Sequence, residues 1–236
     1  KSQIRRLGDR IRKGKSNDSD SLLLYEYRRS FTDAHNRVIS VLRDELEFGP
    51  SARVKSNASI RDKLLRQPTL DLAQMQDIVG CRIVVRDFSE LSAAIAKLVE
   101  RFYNVKIRDR LESPSHGYRA VHLIVELEKK HVEIQVRTSL QHAWANLSEK
   151  LSDKYGMSLK YGGGPKERRE PLLRLSDTIY VFERFEELYQ KSLGEKPASE
   201  MSELEVGQMT TIVTLRIQIE NLFEAAISAV GEKDED

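Results

Sequence analysis

The sequence has little of several residue types, and each shortage narrows the class of protein. A single cysteine, Cys81, among 236 residues excludes a disulfide framework and a zinc cluster built on cysteine pairs, and it predicts a protein of the reducing cytoplasm. Only 6 prolines and 12 glycines exclude collagen-like and low-complexity chains. No apolar run approaches the ~20 residues of a membrane span, so no membrane partner is predicted.

The charge is balanced rather than of one sign. Lysine and arginine number 39 against 37 aspartates and glutamates, for a formal net charge of +2, which does not by itself indicate a nucleic-acid-binding protein. Basic side chains are nevertheless concentrated at the start, and residues 1–21 are predicted to be a basic N-terminal segment. We interpret this segment as a solvated tail.

The apolar pattern predicts helices and strands in one chain. Apolar steps of three and four residues predict one long helix from Leu24 to Leu46 and further helices over 60–66, 89–103, 140–151 and 209–230. Another helix is predicted with Pro171 in its first turn and Gly194 just past its end. Continuous or alternating apolar residues predict strands over 52–55, 78–85, 105–111, 118–127 and 131–138, the last two as a hairpin. The prediction is an α/β (α+β) fold with a mixed β-sheet flanked by helices and a C-terminal helical extension over 161–236.

The last predicted helix carries an apolar seam. Its members recur at alternating steps of three and four residues: Ile212, Leu215, Ile219 and Leu222. Such a seam either packs against its own chain or forms a self-association surface, and the pattern fits both. A homo-oligomer formed through the C-terminal helices is therefore one hypothesis.

Polar side chains share one face of the strand over 132–138. Strict alternation puts Glu133, Gln135 and Arg137 opposite the apolar residues. The preceding segment would place Tyr118 and His122 on one face of its own strand and Arg119 on the other. A solvated outer face is one interpretation, and a polar functional site is the other.

A cluster of cations lies where an extended segment turns into a helix. Arg53, Lys55 and Lys63 surround Ser59, which is a plausible helix cap. Such a turn suits a polyphosphate, because cations supply charge and a helix N-terminus supplies free N–H groups. The stretch is not a P-loop, since GxxxxGK[ST] is absent. A solvated basic loop is the alternative.

Asp77 directly precedes the buried strand over 78–85, which also contains Arg82. An aspartate at a strand entrance can simply close a turn. Together with Glu133 it would instead form a two-carboxylate site of the kind that holds Mg²⁺ beside a triphosphate.

These segments together resemble a known family. Residues 53–63, 76–85, 117–125 and 132–138 are similar, in order and spacing, to the synthetase domain of RelA/SpoT-type alarmone synthetases, over residues 22–160. The chain resembles the small, single-domain members, some of which are toxic. The resemblance implies a nucleotidyltransferase-like fold and an enzyme that uses Mg²⁺. The implied reaction moves the β,γ-pyrophosphate of ATP to the ribose 3′-hydroxyl of GDP or GTP, making (p)ppGpp.

The resemblance also implies residue roles. Arg53 and Arg82 would clasp the adenine of ATP, and Asp77 with Glu133 would bind the metal. Glu133 would share the metal or take the proton of the attacking hydroxyl, with support from Gln135. The residues implied for the phosphates of ATP are Lys55, Ser59 and Lys63. For the acceptor, the resemblance implies that Tyr118 would stack on the base and that His122 with Arg119 would steady phosphate oxygens. Arg137 and His142 are the other residues implied for the acceptor.

The acceptor stays open, because the loop at 113–116, His142 and the helix at 148–155 depart from the family pattern. The alternative is a toxin that pyrophosphorylates the tRNA 3′ end or adenine nucleotides, arrests growth and has a neutralising antitoxin as partner. Its support is a basic run that could follow an RNA backbone or be a solvated helix end: Lys150, Lys154, Lys160, Lys166, Arg168 and Arg169. A catalytically dead nucleotide sensor ranks last, since both carboxylates are present.

Overall fold

The computed structural model describes residues 2–156, 159–194 and 196–231. By its contacts the chain divides into two compact units. The first takes residues 1–83, 96–108 and 122–136, and the second takes 84–95, 109–121 and 137–236. The predicted boundary between a synthetase domain over 22–160 and an extension stays a prediction. None of the helices in the described ranges is long and apolar enough to cross a membrane.

A five-stranded sheet has the order β1-β2-β5-β4-β3. Its strands are β1 (Ser51–Val54), β2 (Val79–Val85), β3 (Lys106–Asp109), β4 (Val121–Leu127) and β5 (Lys130–Thr138). The edge strands β1 and β3 are short, charged and exposed, which discourages pairing with other chains. The inner strands carry the buried residues. The nearly continuous apolar run of β2 is typical of a strand covered on both faces, but Val84 is 42% exposed, so β2 is not fully covered. The predicted mixed sheet and its hairpin are confirmed.

Helices account for most of the remaining chain. They are α1 (Ser2–Arg12), α2 (Asp18–Arg29), α3 (Thr32–Ser40), α4 (Asn57–Arg66), α5 (Phe88–Arg101), α6 (Ser139–Tyr155), α7 (Lys166–Leu193) and α8 (Glu203–Gly231). In the first unit, large apolar side chains are almost fully buried: Leu7, Leu42, Ile60, Leu64, Leu72, Met75, Ile78, Ile83, Leu98, Leu123 and Ile134. These residues form the core of the first unit, and Ile83, Leu123 and Ile134 belong to the inner strands themselves.

The basic N-terminal segment is not a solvated tail, which corrects our interpretation of the charge pattern. Leu7 and Ile11 of α1 are buried, and Gly8 lies so close to the chain that an added Cβ would come within 2.8 Å of Leu72 Cβ. Arg12 also donates to the carbonyl oxygen of Leu64 at 3.3 Å. The four-residue step between the two apolar side chains is the helical spacing that the basic residues obscured.

The prediction of one long helix from Leu24 to Leu46 is wrong. It consists of α2, α3 and a π-helical turn over Val41–Glu45. At the first break, Ser30 donates through its hydroxyl to the carbonyl oxygen of Tyr27 at 2.6 Å. A serine hydroxyl that competes for backbone acceptors interrupts a helix. The apolar spacing continues across the break, and periodicity alone therefore could not reveal it.

The second unit is built on three long helices. Its core contains Leu140, Trp144, Ala145, Leu147, Leu172, Ile179 and Phe223. Thr138 and Gln141 form a capping box that begins α6. α7 begins at Lys166, so Pro171 lies in its second turn. The prediction that places Pro171 in the first turn is therefore wrong. The helical C-terminal extension itself is confirmed.

A buried ion cluster joins α7 and α8. Arg216 donates through Nε to Glu186 Oε1 at 3.0 Å, and its Nη2 lies 3.5 Å from Glu183 Oε1. Glu183 also accepts a hydrogen bond from Gln141 at 3.1 Å. Burial outweighs these favourable partners and raises the pKa of Glu183 to about 7. Charge pairing, as well as apolar contact, therefore specifies how these two helices pack.

The close approach of β2 and β5 allows a test of packing. A Cβ added at Gly80 would lie 2.4 Å from the carbonyl oxygen of Glu133, so the backbone would have to move. We expect Gly80→Ala to lower the free energy of unfolding by about 1–3 kcal/mol, measured by urea denaturation. Gly49→Ala is the matched control, because a Cβ there meets nothing within 4 Å. Equal midpoints for the two variants would contradict this account of the sheet.

Candidate active site

The turn between β1 and α4 is capped by Ser56. The prediction that Ser59 is the cap is therefore wrong. Ser56 Oγ accepts a hydrogen bond from the backbone N–H of Ser59 at 3.1 Å. The helix therefore begins at Asn57, and Ser59 belongs to its first turn. Lys55 directly precedes this exposed helix N-terminus, whose remaining N–H groups are suited to an anion.

Two lysines converge on one oxygen of Asp77. Lys55 Nζ lies 3.0 Å and Lys63 Nζ 2.6 Å from Oδ2. Burial acts to raise the pKa of Asp77, but the two ammonium groups outweigh it and hold that pKa below its ordinary value. The other oxygen, Oδ1, is buried and makes no hydrogen bond within the described part of the chain. Asp77 is therefore an ionised carboxylate with one oxygen in need of a partner.

Glu133 on β5 is held by side chains on both of its oxygens. His122 Nδ1 of β4 lies 3.0 Å from Oε1, and Gln135 Nε2 donates to Oε2 at 2.7 Å. Burial acts to raise the pKa of Glu133, but His122 above all lowers it, and the result is below the ordinary value. The charge of Asp77 acts in the opposite direction on Glu133, so the two carboxylates influence each other. An oriented, ionised carboxylate can accept a proton or bind a cation.

The two predicted adenine-binding arginines share a face of the sheet. β1 pairs antiparallel with β2, with Ser51 opposite Arg82 and Arg53 opposite Gly80. Because side chains alternate along a strand, Arg53 points to the same side as Ser51 and hence as Arg82. The two guanidinium groups therefore belong to diagonal neighbours.

The donor set in this unit fits Mg²⁺ only in the presence of a phosphate ligand. The described residues contain no group of three or more histidine, cysteine, aspartate or glutamate side chains able to hold a metal ion. Mg²⁺ is commonly held by one or two carboxylates together with substrate phosphates. Asp77, with its unpartnered Oδ1, and Glu133 supply that number of carboxylates.

Tyr118, in the second unit, lies in a tight turn. Ser115 and Tyr118 exchange backbone hydrogen bonds of 3.1 and 3.0 Å across His116 and Gly117, which both have positive φ. This backbone is that of a primed hairpin turn. Because β4 begins only at Val121, the predicted strand alternation from residue 118 to 122 is wrong.

Arg137 determines how the ring of Tyr118 is oriented. Its Nη2 donates to Tyr118 Oη at 2.6 Å, and its guanidinium carbon lies 4.6 Å from the ring centroid. Arg137 is itself buried, with 3% exposure. Elsewhere in this unit, His142 lies on α6 with Nε2 3.3 Å from the side-chain nitrogen of Asn146.

Arg119 is engaged by its own chain. Its Nε donates to Ser176 Oγ at 3.2 Å and its Nη2 to Asp177 at 2.6 Å, while Nη1 donates to the carbonyl of Leu111. Ser176 does not stand out in the sequence as a candidate site residue. The available indication was a serine at a helical step from Leu172 and Ile179, inside the apolar face of α7.

Comparisons with known proteins agree on one family. Residues 52–158 match the model described as the region found in RelA / SpoT proteins. GTP pyrophosphokinase YwaC of Bacillus subtilis is 34% identical over 156 residues, which cover 56% of this chain and 73% of the relative. An uncharacterized protein of Mycobacterium tuberculosis is 37% identical over 120 residues, or 50% of this chain. This chain spans only 44% of that mycobacterial relative.

A solved structure shows the same fold. The crystal structure of small alarmone synthetase 1 from Bacillus subtilis has a TM-score of 0.57 and 25% sequence identity to this chain. The match covers 76% of this chain and 100% of that one. The similarity therefore extends beyond the four sequence segments to the helices and sheet that carry them.

Replacing Asp77 tests how much its ion pairs with Lys55 and Lys63 contribute to the free energy of unfolding. Asp77→Asn leaves Lys55 and Lys63 without their counter-charge, and we expect a loss of about 1–3 kcal/mol in unfolding free energy at neutral pH, measured in urea. Because folding lowers the pKa of Asp77 from 3.8, its contribution is complete above that pH and declines as pH falls through the folded-state pKa. The difference in unfolding free energy between Asp77→Asn and the wild-type protein should therefore become smaller only at acidic pH.

The control for this prediction is Asp9→Asn. Asp9 is paired with Arg12 at 2.9 Å but is 49% exposed, so its loss should cost at most about 1 kcal/mol. A stability difference for Asp77→Asn that already shrinks near neutral pH, or one no larger than that of Asp9→Asn, would contradict the assignment.

Proposed function

The chain belongs to the RelA/SpoT family, and from this premise we propose that it transfers the β,γ-pyrophosphate of ATP to the ribose 3′-hydroxyl of GDP or GTP. The reaction releases AMP and yields (p)ppGpp. The observation that carries the proposal is the ionised carboxylate pair, Asp77 beside two lysines and Glu133 between His122 and Gln135. Transfer of a phosphoryl group needs this combination of positioning and charge more than it needs covalent catalysis.

ATP occupies the first unit in this proposal. Lys55 and Lys63 exchange part of their interaction with Asp77 for the phosphates, and Ser59 contacts them from the first turn of α4. Arg53 and Arg82 clasp the adenine from one face of the sheet, where planar guanidinium groups stack on a base. Two lysines face one anionic oxygen of Asp77. This excess of positive charge supports the proposal, because an anionic phosphate would balance it.

Asp77 and Glu133 are the proposed Mg²⁺ ligands. The ion, when bound with ATP, would neutralise charge on the phosphate oxygens. Glu133 either shares that ion or takes the proton of the attacking hydroxyl, and Gln135 keeps its carboxylate oriented for both roles. His122 was expected to steady acceptor phosphates, but its bond to Glu133 favours a role in orienting that carboxylate.

The acceptor base stacks on Tyr118 in this proposal. Arg137 supports the ring by a hydrogen bond and by its position over the ring face, so the ring is oriented before a ligand arrives. Stacking tolerates any base and is typically worth ~1–3 kcal/mol. Choice among acceptors therefore falls to groups that read hydrogen-bonding edges, for which His142 is our candidate.

The alternative acceptors, tRNA and adenine nucleotides, are not favoured. The Bacillus subtilis relatives are named GTP pyrophosphokinases. Part of the basic run also has partners within the chain: Arg169 donates to the carbonyl of Gly162 at 2.5 Å, and Arg168 lies 4.1 Å from the ring centroid of Tyr155. The side chain of Lys160 lies outside the described residues. A growth-arresting toxin with a neutralising antitoxin stays a prediction.

Self-association through α8 also stays a proposal, with a modified surface. Ile212 is buried, whereas Leu215 and Leu222 are 44% and 70% exposed, one heptad apart on one helix face. We expect light scattering to give an oligomer mass, and the double change Leu215→Glu and Leu222→Glu to yield monomer. Thr214→Glu, at an exposed position off this stripe, is the control. A monomeric mass for the unchanged protein would overturn the proposal.

Glu133→Gln tests the catalytic assignment. The amide keeps the shape but removes the charge that the metal or the proton needs, so transfer should fall by on the order of 10²-fold or more while ATP binding persists. The measurement is thin-layer separation of products from labelled ATP. GDP, GTP, AMP, ADP and deacylated tRNA are offered one at a time.

The matched control is Glu126→Gln on the same hairpin. Glu126 also faces a histidine, His131, at 3.5 Å, but the carboxylate is 54% exposed, and its loss should leave turnover unchanged. Wild-type turnover in Glu133→Gln would remove Glu133 from the mechanism. Product formed with tRNA or adenine nucleotides alone would replace the proposed acceptor.

A further inference from the structure

The segment that presents Tyr118 is fastened to α7 at two points. We call residues 111–118 the Tyr118 loop. Near its start, the carbonyl of Leu111 accepts a hydrogen bond from Arg119 Nη1. Near its end, the carbonyl of Gly117 accepts a hydrogen bond from Ser176 Oγ of α7 at 2.5 Å. The two attachments converge on one helix, because Arg119 also donates to Ser176 and Asp177.

Arg119 has little capacity left for a ligand. All three nitrogens of its guanidinium group donate to atoms of the chain, and the ring of Tyr180 covers one face, with the guanidinium carbon 4.3 Å from the ring centroid. The side chain is 6% exposed. A phosphate could reach it only by displacing bonds that a buried charge needs.

The Tyr118 loop needs such an anchor. His116 has φ of 54° and Gly117 of 83°, and a left-handed backbone at a residue other than glycine costs on the order of 1 kcal/mol or more. Gly117 also lies against Trp144, where an added Cβ would come within 2.7 Å of the indole ring. The left-handed backbone at His116 is therefore held by its surroundings, and the space at Gly117 admits only glycine.

We propose that Arg119 is a positioning residue, which clamps the Tyr118 loop to α7 and so presents the Tyr118 ring to the acceptor base. It replaces the phosphate contact that the family resemblance implied for Arg119. The inference rests on the proposed function, because the base that stacks on Tyr118 is the acceptor's. A ring that is already held in place spares the ligand the entropic cost of ordering it.

Steady-state kinetics separate a clamp from a phosphate ligand. Ser176→Ala removes the Gly117 bond and one Arg119 bond without changing any charge, and we expect the acceptor KM to rise by about tenfold while the ATP KM stays unchanged. Arg119→Lys should also raise the acceptor KM, and the factor of increase should be the same for GMP, GDP and GTP. A loss that grows with the number of acceptor phosphates would show direct phosphate contact and overturn the proposal.

The control is Thr178→Ala on the same helix. Its hydroxyl donates to the carbonyl of Arg174 at 2.9 Å, one helical turn back, and is exposed. This variant should keep the wild-type acceptor KM. A rise equal to that of Ser176→Ala would mean that α7 tolerates no hydroxyl loss, and the clamp would lose its specific support.

Fluorescence gives a readout that needs no activity. Trp144 is the only tryptophan in the sequence, is 4% exposed and lies against Gly117. If the clamp holds the loop, Ser176→Ala and Arg119→Lys should increase acrylamide quenching of Trp144 in the protein without nucleotide, at unchanged far-ultraviolet circular dichroism. Unchanged quenching in Ser176→Ala, the milder variant, would overturn the clamp.

The two readouts fail independently. Absence of product with every guanine nucleotide would refute the proposed function, while increased quenching would still establish that Arg119 and Ser176 hold the loop. Wild-type acceptor KM values in a variant with increased quenching would show that the loop position does not affect acceptor binding, and would overturn the proposed role.

Discussion

A buried carboxylate stays ionised only where opposite charge or hydrogen bonds compensate for the water it has lost. Asp77 meets this condition through Lys55 and Lys63, and Glu133 through His122 and Gln135. The first constraint requires the turn before α4 to lie beside the entrance of β2. The second requires β4 and β5 to pair in one register. Much of the first unit can be understood as the framework that satisfies both.

The backbone around Glu133 leaves little freedom. β2 approaches it so closely that only glycine fits at position 80, and the same glycine carbonyl lies 2.7 Å from His35 Nε2. The carboxylate is thus oriented by side chains and located by main-chain contact. Fixed positions of this kind matter for phosphoryl transfer, where the protein contributes geometry and charge.

In the second unit, arginines hold the structure together more than they cover its surface. Arg119, Arg137 and Arg216 are nearly fully buried, and each donates to side chains or carbonyls of its own chain. A guanidinium group suits this use because it stays charged and offers several donors in a rigid plane. The nearly neutral net charge therefore gives no indication that several of the cations are buried and stabilise the structure through hydrogen bonds.

The sequence by itself determined the fold class and the order of the strands along the chain, because alternation and β-branched runs depend on neighbours along the chain. It also indicated Asp77 and Glu133 as candidate site residues. It could not place the buried α1, which depends on contacts with distant residues. Nor could it place the helix break at Ser30, because the apolar spacing continues across the break. Asp77 was recognisable as an acid at a strand entrance, but its lysine partners were decided by the tertiary structure. The same holds for Arg119, whose role depends on Ser176 and Asp177, more than 50 residues away. Residue type predicts which bonds a side chain can make, and only folding decides which partner is within reach.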